Sequence, residues 1–215
     1  KVLPPHVNHS DYGFTVHNGC IYFGLMAIKN LGALLTDEIV KERSLHGEFK
    51  SFGDFCERLA GKRMNVQGVE SLIKAGALDS LGGNRQQLLM SARRIIEGVE
   101  AERKRNVEGQ LSLFGDMEEQ ASENFSLPDI PEFSKEKLLA LEKDVTGLYL
   151  SGHPLSDYKE FIEYVRPDRI ADIIEDPQKY ANKNIHLVVF FNEVRTRTTK
   201  NNTVMAFRSE EHTSE

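Results

Sequence analysis

The sequence predicts a mainly α protein: a short β-hairpin, two small helical hairpins in tandem, an acidic linker, a helical connector and a brief β segment. Three observations carry this reading. Apolar residues recur at three- and four-residue spacing from Leu25 to Val99, the period of helices with one buried side. Phe14–His17 and Cys20–Phe23 flank Asn18-Gly19, the dipeptide that best accepts the positive φ angles of a two-residue hairpin turn. Residues 106–134 contain no Lys or Arg, seven Asp or Glu and two prolines, without a sustained period, which is the signature of a linker.

At 40% hydrophobic and 28% charged residues, the 215-residue chain has the composition of a globular protein with a modest core. No apolar run approaches the roughly 18 residues needed to span a bilayer, so no membrane partner is expected. Cys20 and Cys56 form no Cys-x-x-Cys pair, which points to a reducing cytoplasm rather than a disulfide framework. The chain opens on Lys1 and a Pro-Pro turn, so a piece of a longer polypeptide is expected. Residues 1–105 carry 15 Lys/Arg against 12 Asp/Glu, a balance of +3, and the remainder 12 against 21, a balance of −9, giving −6 overall. Only the first half could favour phosphate electrostatically, and weakly.

Along the chain, Leu25, Ile28, Leu31, Ile39 and Val40 recur at helical intervals. Ser51 is placed to cap a helix running to about Ala60, with Phe52, Phe55 and Leu59 inside. Asn65 caps a run containing Val69, Leu72 and Ile73, which Gly76 stops. A longer helix is predicted over 84–105. Its apolar side is Leu88, Leu89, Ile95, Ile96 and Val99, and Arg85, Arg93, Arg94 and Arg103–Arg105 supply charge. Beyond the linker, helices are predicted over 135–146, stopped by Gly147, and over 156–165. Residues 184–194 are β-rich, and a polar loop leads to a second strand over 203–207.

Residues 25–40 fit the helix-hairpin-helix pattern, so residues 25–105 are predicted to be a tandem helix-hairpin-helix DNA-binding domain. A tight turn between two helices leaves backbone N–H groups at a helix start, which grip phosphate without reading bases. The candidate DNA-binding residues are Lys29, Asn30, Leu31, Gly32 and Ala33. Asn30 replaces the first glycine of the pattern and tolerates a left-handed conformation well. Gly32 is expected to supply positive φ and close approach, and Lys29 a charge. A plain αα-hairpin explains the same residues. A second copy around residues 69–76, with Lys74 at the glycine position, is expected to be structural.

In the linker, Gln110-Leu111-Ser112-Leu113-Phe114 sets three large apolar residues in an acidic stretch with no core of its own, which suggests a partner pocket. A short apolar turn tucked against the neighbouring helix is the alternative. The pentapeptide resembles bacterial sliding-clamp-binding peptides. That resemblance implies a Gln110 amide at the pocket rim and Leu and Phe side chains filling it.

Together these elements resemble the bacterial DNA polymerase III alpha subunits, the C-family replicative polymerases. The stretches that carry the resemblance are Val2-Leu-Pro-Pro5 with Val7-Asn8 and Ser10; Phe23-Gly-Leu25 with Ala27-Ile-Lys-Asn30 and Gly32; Leu72-Ile-Lys-Ala-Gly-Ala77 with Asp79; and Gly147-Leu-Tyr-Leu-Ser-Gly-His-Pro154. His6 departs from the pattern, as does everything after Phe207. The resemblance implies the end of the fingers over 1–24, the DNA-holding domain over 25–105 and a clamp-binding linker over 106–134. A helical connector over 135–183 and the start of an OB domain over 184–207 would follow. It implies duplex DNA, the sliding clamp, other replicase subunits and, through a complete OB domain, single-stranded DNA as partners. The family's two-metal site lies in a palm upstream of Lys1, so no catalytic residue and no cofactor is expected here, the Mg²⁺ belonging to the palm.

His6 and His9 are too few for a metal site and are read as surface residues, and His153 as fixing a turn. Arg208-Ser-Glu-Glu-His-Thr-Ser-Glu215 is what a common sequencing adapter, AGATCGGAAGAGCACACGTCTGAA, encodes in one frame. These eight residues are therefore expected to be an assembly artefact, with the OB domain truncated before them. A DNA-repair adaptor with the same hairpin and clamp peptide, or an error-prone polymerase paralogue, are the competing functions.

Overall fold

A computed structural model describes residues 2–107, 125–198 and 204–211. They form two compact units, Lys1–Ser151 and Gly152–Glu215.

The first unit opens with a three-stranded sheet of β1 (Val2–Leu3), β2 (Thr15–His17) and β3 (Cys20–Tyr22) in the order β1-β3-β2. β2 and β3 are the expected hairpin, with Val16 opposite Ile21. Asn18 and Gly19 both take positive φ, 49° and 74°, the geometry that matches strand twist in a two-residue turn. β1 joins β3 in parallel, with Val2 opposite Ile21, a pairing that no local signal announces.

The helix predicted from Leu25 is instead one 3₁₀ turn, Leu25–Ala27. Its first amides are drawn outward: Leu25 N–H donates to the Asp11 carbonyl (2.9 Å) and Met26 N–H to that of Tyr12 (3.1 Å). The left-handed Asn30, φ 64°, then breaks the path. The true helix is α1 (Ala33–His46). The spacing nonetheless marked most of the inside, since Leu25, Ile28, Leu31 and Ile39 are buried and Val40 is partly so.

The next helices follow their caps. α2 (Phe52–Leu59) starts where Ser51 Oγ accepts the Asp54 amide at 3.1 Å, and α3 (Val66–Lys74) where Asn65 Oδ1 accepts that of Gly68 at 2.7 Å. Gly76, at φ 79°, ends α3. Its amide reaches the Ile73 carbonyl (3.0 Å), and that of Ala77 reaches Leu72 (2.9 Å), the paired bonds that close a helix through a left-handed residue. α4 (Arg85–Val107) buries Leu88, Ala92, Ile95, Ile96 and Val99. α5 (Lys135–Thr146) is capped by Ser134 and closed by Gly147 in the left-handed region.

One hydrophobic core joins these elements, from Val7 through the four helices to Val145 of α5. Helix α5, set by the sequence in a separate connector, thus packs in the same unit as residues 25–105, against α3.

In the second unit His153 fixes a turn, as expected. Its Nδ1 accepts the Leu155 amide (3.1 Å) at the head of a 3₁₀ turn, Pro154–Tyr158. α6 (Lys159–Val165), α7 (Ile170–Glu175) and α8 (Pro177–Tyr180) follow. The β segment begins later than expected. β4 (Phe190–Thr198) and β5 (Val204–Glu211) pair antiparallel with an irregularity between Phe191 and Glu193. Apolar composition placed the strand at 184–194, but residues 184–189 are not in a strand. β5 runs four residues past Phe207 because ladder bonds are made by the backbone, whatever the side chains.

Candidate nucleic-acid interface

The turn over residues 28–32 joins the 3₁₀ turn to α1, and the structure gives its five predicted residues different tasks. The Lys29 amide is committed to the Val145 carbonyl at 2.7 Å. Its ammonium is 64% exposed and lies 3.9 Å from Asp144, a surface pairing of about 1 kcal/mol or less that leaves the charge available. Asn30 supplies the left-handed residue. Leu31 belongs to the core, its amide bonded to the Ile28 carbonyl at 3.2 Å. Gly32 and Ala33 remain as backbone donors, joined by Leu34, which is exposed and was not predicted.

Gly32 corrects the expectation made for it. Its φ is −74° and ψ 155°, so the positive angle of this turn sits at Asn30 instead. Apart from its neighbours in the chain, no atom of the described residues lies within 4 Å of a Cβ placed at Gly32. The fold itself therefore does not require glycine here, and the vacant space lies at the start of α1. That start has no side-chain cap and no acidic residue in its first turn. Unpaired first-turn amides and the positive end of the helix dipole attract an anion.

Both arms of this turn are braced. Arg43, near the end of α1, donates to the carbonyls of Val7 (2.7 Å) and Ser10 (2.6 Å) and pairs with the Asp11 carboxylate. The Asp11 carbonyl in turn holds Leu25. Asn8 exchanges two bonds with the Phe49 backbone, 3.0 and 2.9 Å. Beneath α1, buried Glu42 meets Lys62, Arg58 (3.2 Å) and His46 (2.9 Å). The Lys62 hydrogen bond and Arg58 hold its carboxyl below the usual range, against the opposing pull of burial.

The second hairpin is filled from inside. Arg85, expected as surface charge, is buried. Its guanidinium lies where a Gly76 side chain would have to go, 2.1 Å from the nearest guanidinium nitrogen to that Cβ position. It binds Asp79 (2.7 Å) and fully buried Glu142 (3.3 Å). Glu142 also accepts the amides of Leu150 (3.2 Å) and Ser151 (3.0 Å), so the end of the first unit, residues 147–151, hangs on this carboxylate. The structural role expected for the second copy agrees with this packing.

His6 and His9 are half-buried rather than surface residues, and their rings stack at 4.2 Å. His17 stacks on His9 at 4.5 Å, with Tyr22 beside them. Stacked imidazoles share no convergence point, and among the described residues no group of three or more His, Cys, Asp or Glu is placed to hold a metal. Gln110, Leu111, Ser112, Leu113 and Phe114 lie outside the described residues. Among the described residues no helix is long and apolar enough to cross a membrane.

A helix-hairpin-helix motif family matches residues 1–88, the stretch that holds both hairpins up to the first turn of α4. The chain is homologous, along most of its length, to DNA polymerase III alpha subunits. That of Borreliella burgdorferi is 36% identical over 210 residues, covering 96% of this chain and 18% of the relative. That of Deinococcus radiodurans is 40% identical over 174 residues, 80% of this chain and 13% of the relative. That of Thermus aquaticus is 35% identical over 206 residues, 95% and 16%. The chain spans less than a fifth of the length of these relatives.

Proposed function

We propose that this chain is the DNA-holding and clamp-tethering part of a bacterial replicative DNA polymerase alpha subunit. The observation that carries the first half is the uncapped, exposed start of α1, with open space at Gly32 and the Lys29 ammonium beside it. Backbone amides that meet phosphates read no bases, so duplex DNA is held without sequence preference and strongly salt-dependently. Polymerisation and its Mg²⁺ ions are assigned by this reading to a palm outside the chain. The polymerase identity of the relatives favours it over a repair adaptor.

The second half rests on Gln110–Phe114. Burying Leu111, Leu113 and Phe114 in a clamp pocket contributes roughly 1.5–3 kcal/mol each, before the cost of ordering the peptide. A polymerase leashed to a ring on DNA rebinds the primer end before it diffuses away. The β4–β5 hairpin is read as the opening of an OB-type domain, which would reach single-stranded DNA. The setting is the bacterial cytoplasm. Replacing Leu113 and Phe114 by Ala in the intact subunit should shorten products on clamp-loaded primed DNA while single-nucleotide insertion is unchanged. Undiminished product length with normal clamp affinity would overturn the tethering role.

A further inference from the structure

Away from the candidate interface, three half-buried histidines of the first unit form a row. The ring centroids of His6 and His9 lie 4.2 Å apart at an interplanar angle of 19°, and those of His9 and His17 4.5 Å apart at 10°. Tyr22 of β3 flanks the row, its ring 6.2, 5.5 and 6.2 Å from the three. Face-to-face stacking at this separation suits neutral imidazoles. Two imidazolium rings so placed would repel, and half-burial weakens the screening that water would give them.

One hydrogen bond shows which form the fold is built for. The Asn8 amide donates to Nδ1 of His6 at 3.1 Å. A backbone N–H can only donate, so Nδ1 carries a lone pair and the ring is neutral with its proton on Nε2. Protonation therefore removes an acceptor as well as adding a charge. The surroundings work in the same direction. Burial and then neighbouring His9 hold the His6 pKa below the ordinary value, and Arg43 of α1 adds to them. Glu48, ahead of α2, and Asp79 pull the other way without reversing the shift.

The turn that His6 shapes is where distant parts of the unit meet. Ser10 Oγ accepts the His6 amide (2.9 Å), and the His6 carbonyl accepts those of His9 (3.0 Å) and Ser10 (2.8 Å). From this turn the Val7 amide reaches the Ala77 carbonyl beyond α3 at 2.9 Å. Asn8 makes the Phe49 bridge, and Arg43 of α1 holds the Val7 and Ser10 carbonyls. Losing the bond to His6 thus frees the same residue that ties the turn to Phe49.

We propose that the His6–His9–His17 row is an acid-sensitive latch. Neutral, it locks turn 6–10 onto α1, Phe49 and Ala77; protonated, it releases them. An opened His6 takes up its proton near the ordinary value of about 6.5, the latched one only at lower pH. The closing free energy is therefore fully present above that ordinary value and is lost as pH falls through the latched one.

The test is amide hydrogen exchange of the 215-residue chain, read by NMR at about pH 7.5 and about pH 5.5 and corrected for intrinsic rates. This window lies above the ordinary carboxylate range. Protection of the Val7, Asn8 and Phe49 amides should fall severalfold at the lower pH, while that of buried Leu72 in α3 should hold. His6→Asn offers an oxygen to the amide two residues on, as asparagine does in turns, and does not titrate. It should keep the protection seen at the higher pH and abolish the acid loss. His9→Phe keeps a ring in the row and removes the neighbouring charge. It should shrink the loss, and it carries the test if the asparagine variant does not fold. An equal loss in folded His6→Asn, a loss shared equally by Leu72, or one undiminished in His9→Phe overturns the latch and leaves the row a packing feature.

Discussion

Replacing Glu142 by Leu tests how the first unit is held together. The carboxylate is fully buried and serves three donors, the Arg85 guanidinium at 3.3 Å and the amides of Leu150 and Ser151 at 3.2 and 3.0 Å. Leucine fills comparable volume but accepts nothing. Arg85, itself buried, keeps the half-exposed Asp79 and the Lys74 carbonyl but loses its buried counter-charge, and two amides lose their partner. Breaking a buried pair by removing one member costs about 3–5 kcal/mol, a large share of the roughly 5–15 kcal/mol that a domain has in total. Urea unfolding should therefore show a midpoint lowered by that free energy divided by the slope, with the slope unchanged. Arg85→Leu combined with Glu142→Leu should cost less than the sum of the two single changes, because the orphaned charge disappears. The consequence reaches the interface, since the Val145 carbonyl of α5 anchors the Lys29 amide, and DNA affinity should fall with α5 loosened. A loss below about 1 kcal/mol would refute the assignment of Glu142 as the internal tie.

At Asn30, φ 64°, substitution by Ala should cost about 1–2 kcal/mol of stability, whereas Gly should be neutral, both read from thermal midpoints. Glu42 governs part of the acid response. Its folded pKa is lowered, so it contributes stability that is fully present above the ordinary carboxylate value and is lost as pH falls through the folded one. Glu42→Gln should reduce stability at pH 7 and flatten the acid limb below about pH 4.5 in pH-dependent unfolding.

Local chemistry was legible where it acts locally. Ser51 and Asn65 announce helix starts because their side chains reach amides three residues on. Asn18-Gly19 announces its turn through the φ angles it tolerates. What escaped is tertiary. Arg85 meets Glu142 across 57 residues and Glu132 across 47, and Arg43 meets Val7 across 36. No periodicity encodes which charge is folded inward, so Arg85 reads as surface. The helix pattern from Leu25 marked burial but not conformation, because Asp11 and Tyr12 capture the amides that a helix would have used. At Gly32 the expected positive φ is absent, because the left-handed angle falls on Asn30, and the sequence shows a glycine without showing that its surroundings are vacant.

Duplex binding by the Gly32→Val chain tests the central claim most directly. Backbone at φ −74° and ψ 155° accommodates valine, and apart from the chain neighbours no atom of the described residues lies within 4 Å of the new Cβ, so the variant should fold with a near-normal thermal midpoint. A branched side chain at the head of α1 blocks approach of phosphate to its amides, and a hydrogen bond to a charged group is worth about 1.5–3 kcal/mol. Fluorescence anisotropy at low salt should show affinity reduced tenfold or more by roughly that conversion, a larger loss than Lys29→Ala causes. Equal affinity in the folded Gly32→Val chain would contradict the account and make the first hairpin a purely structural element.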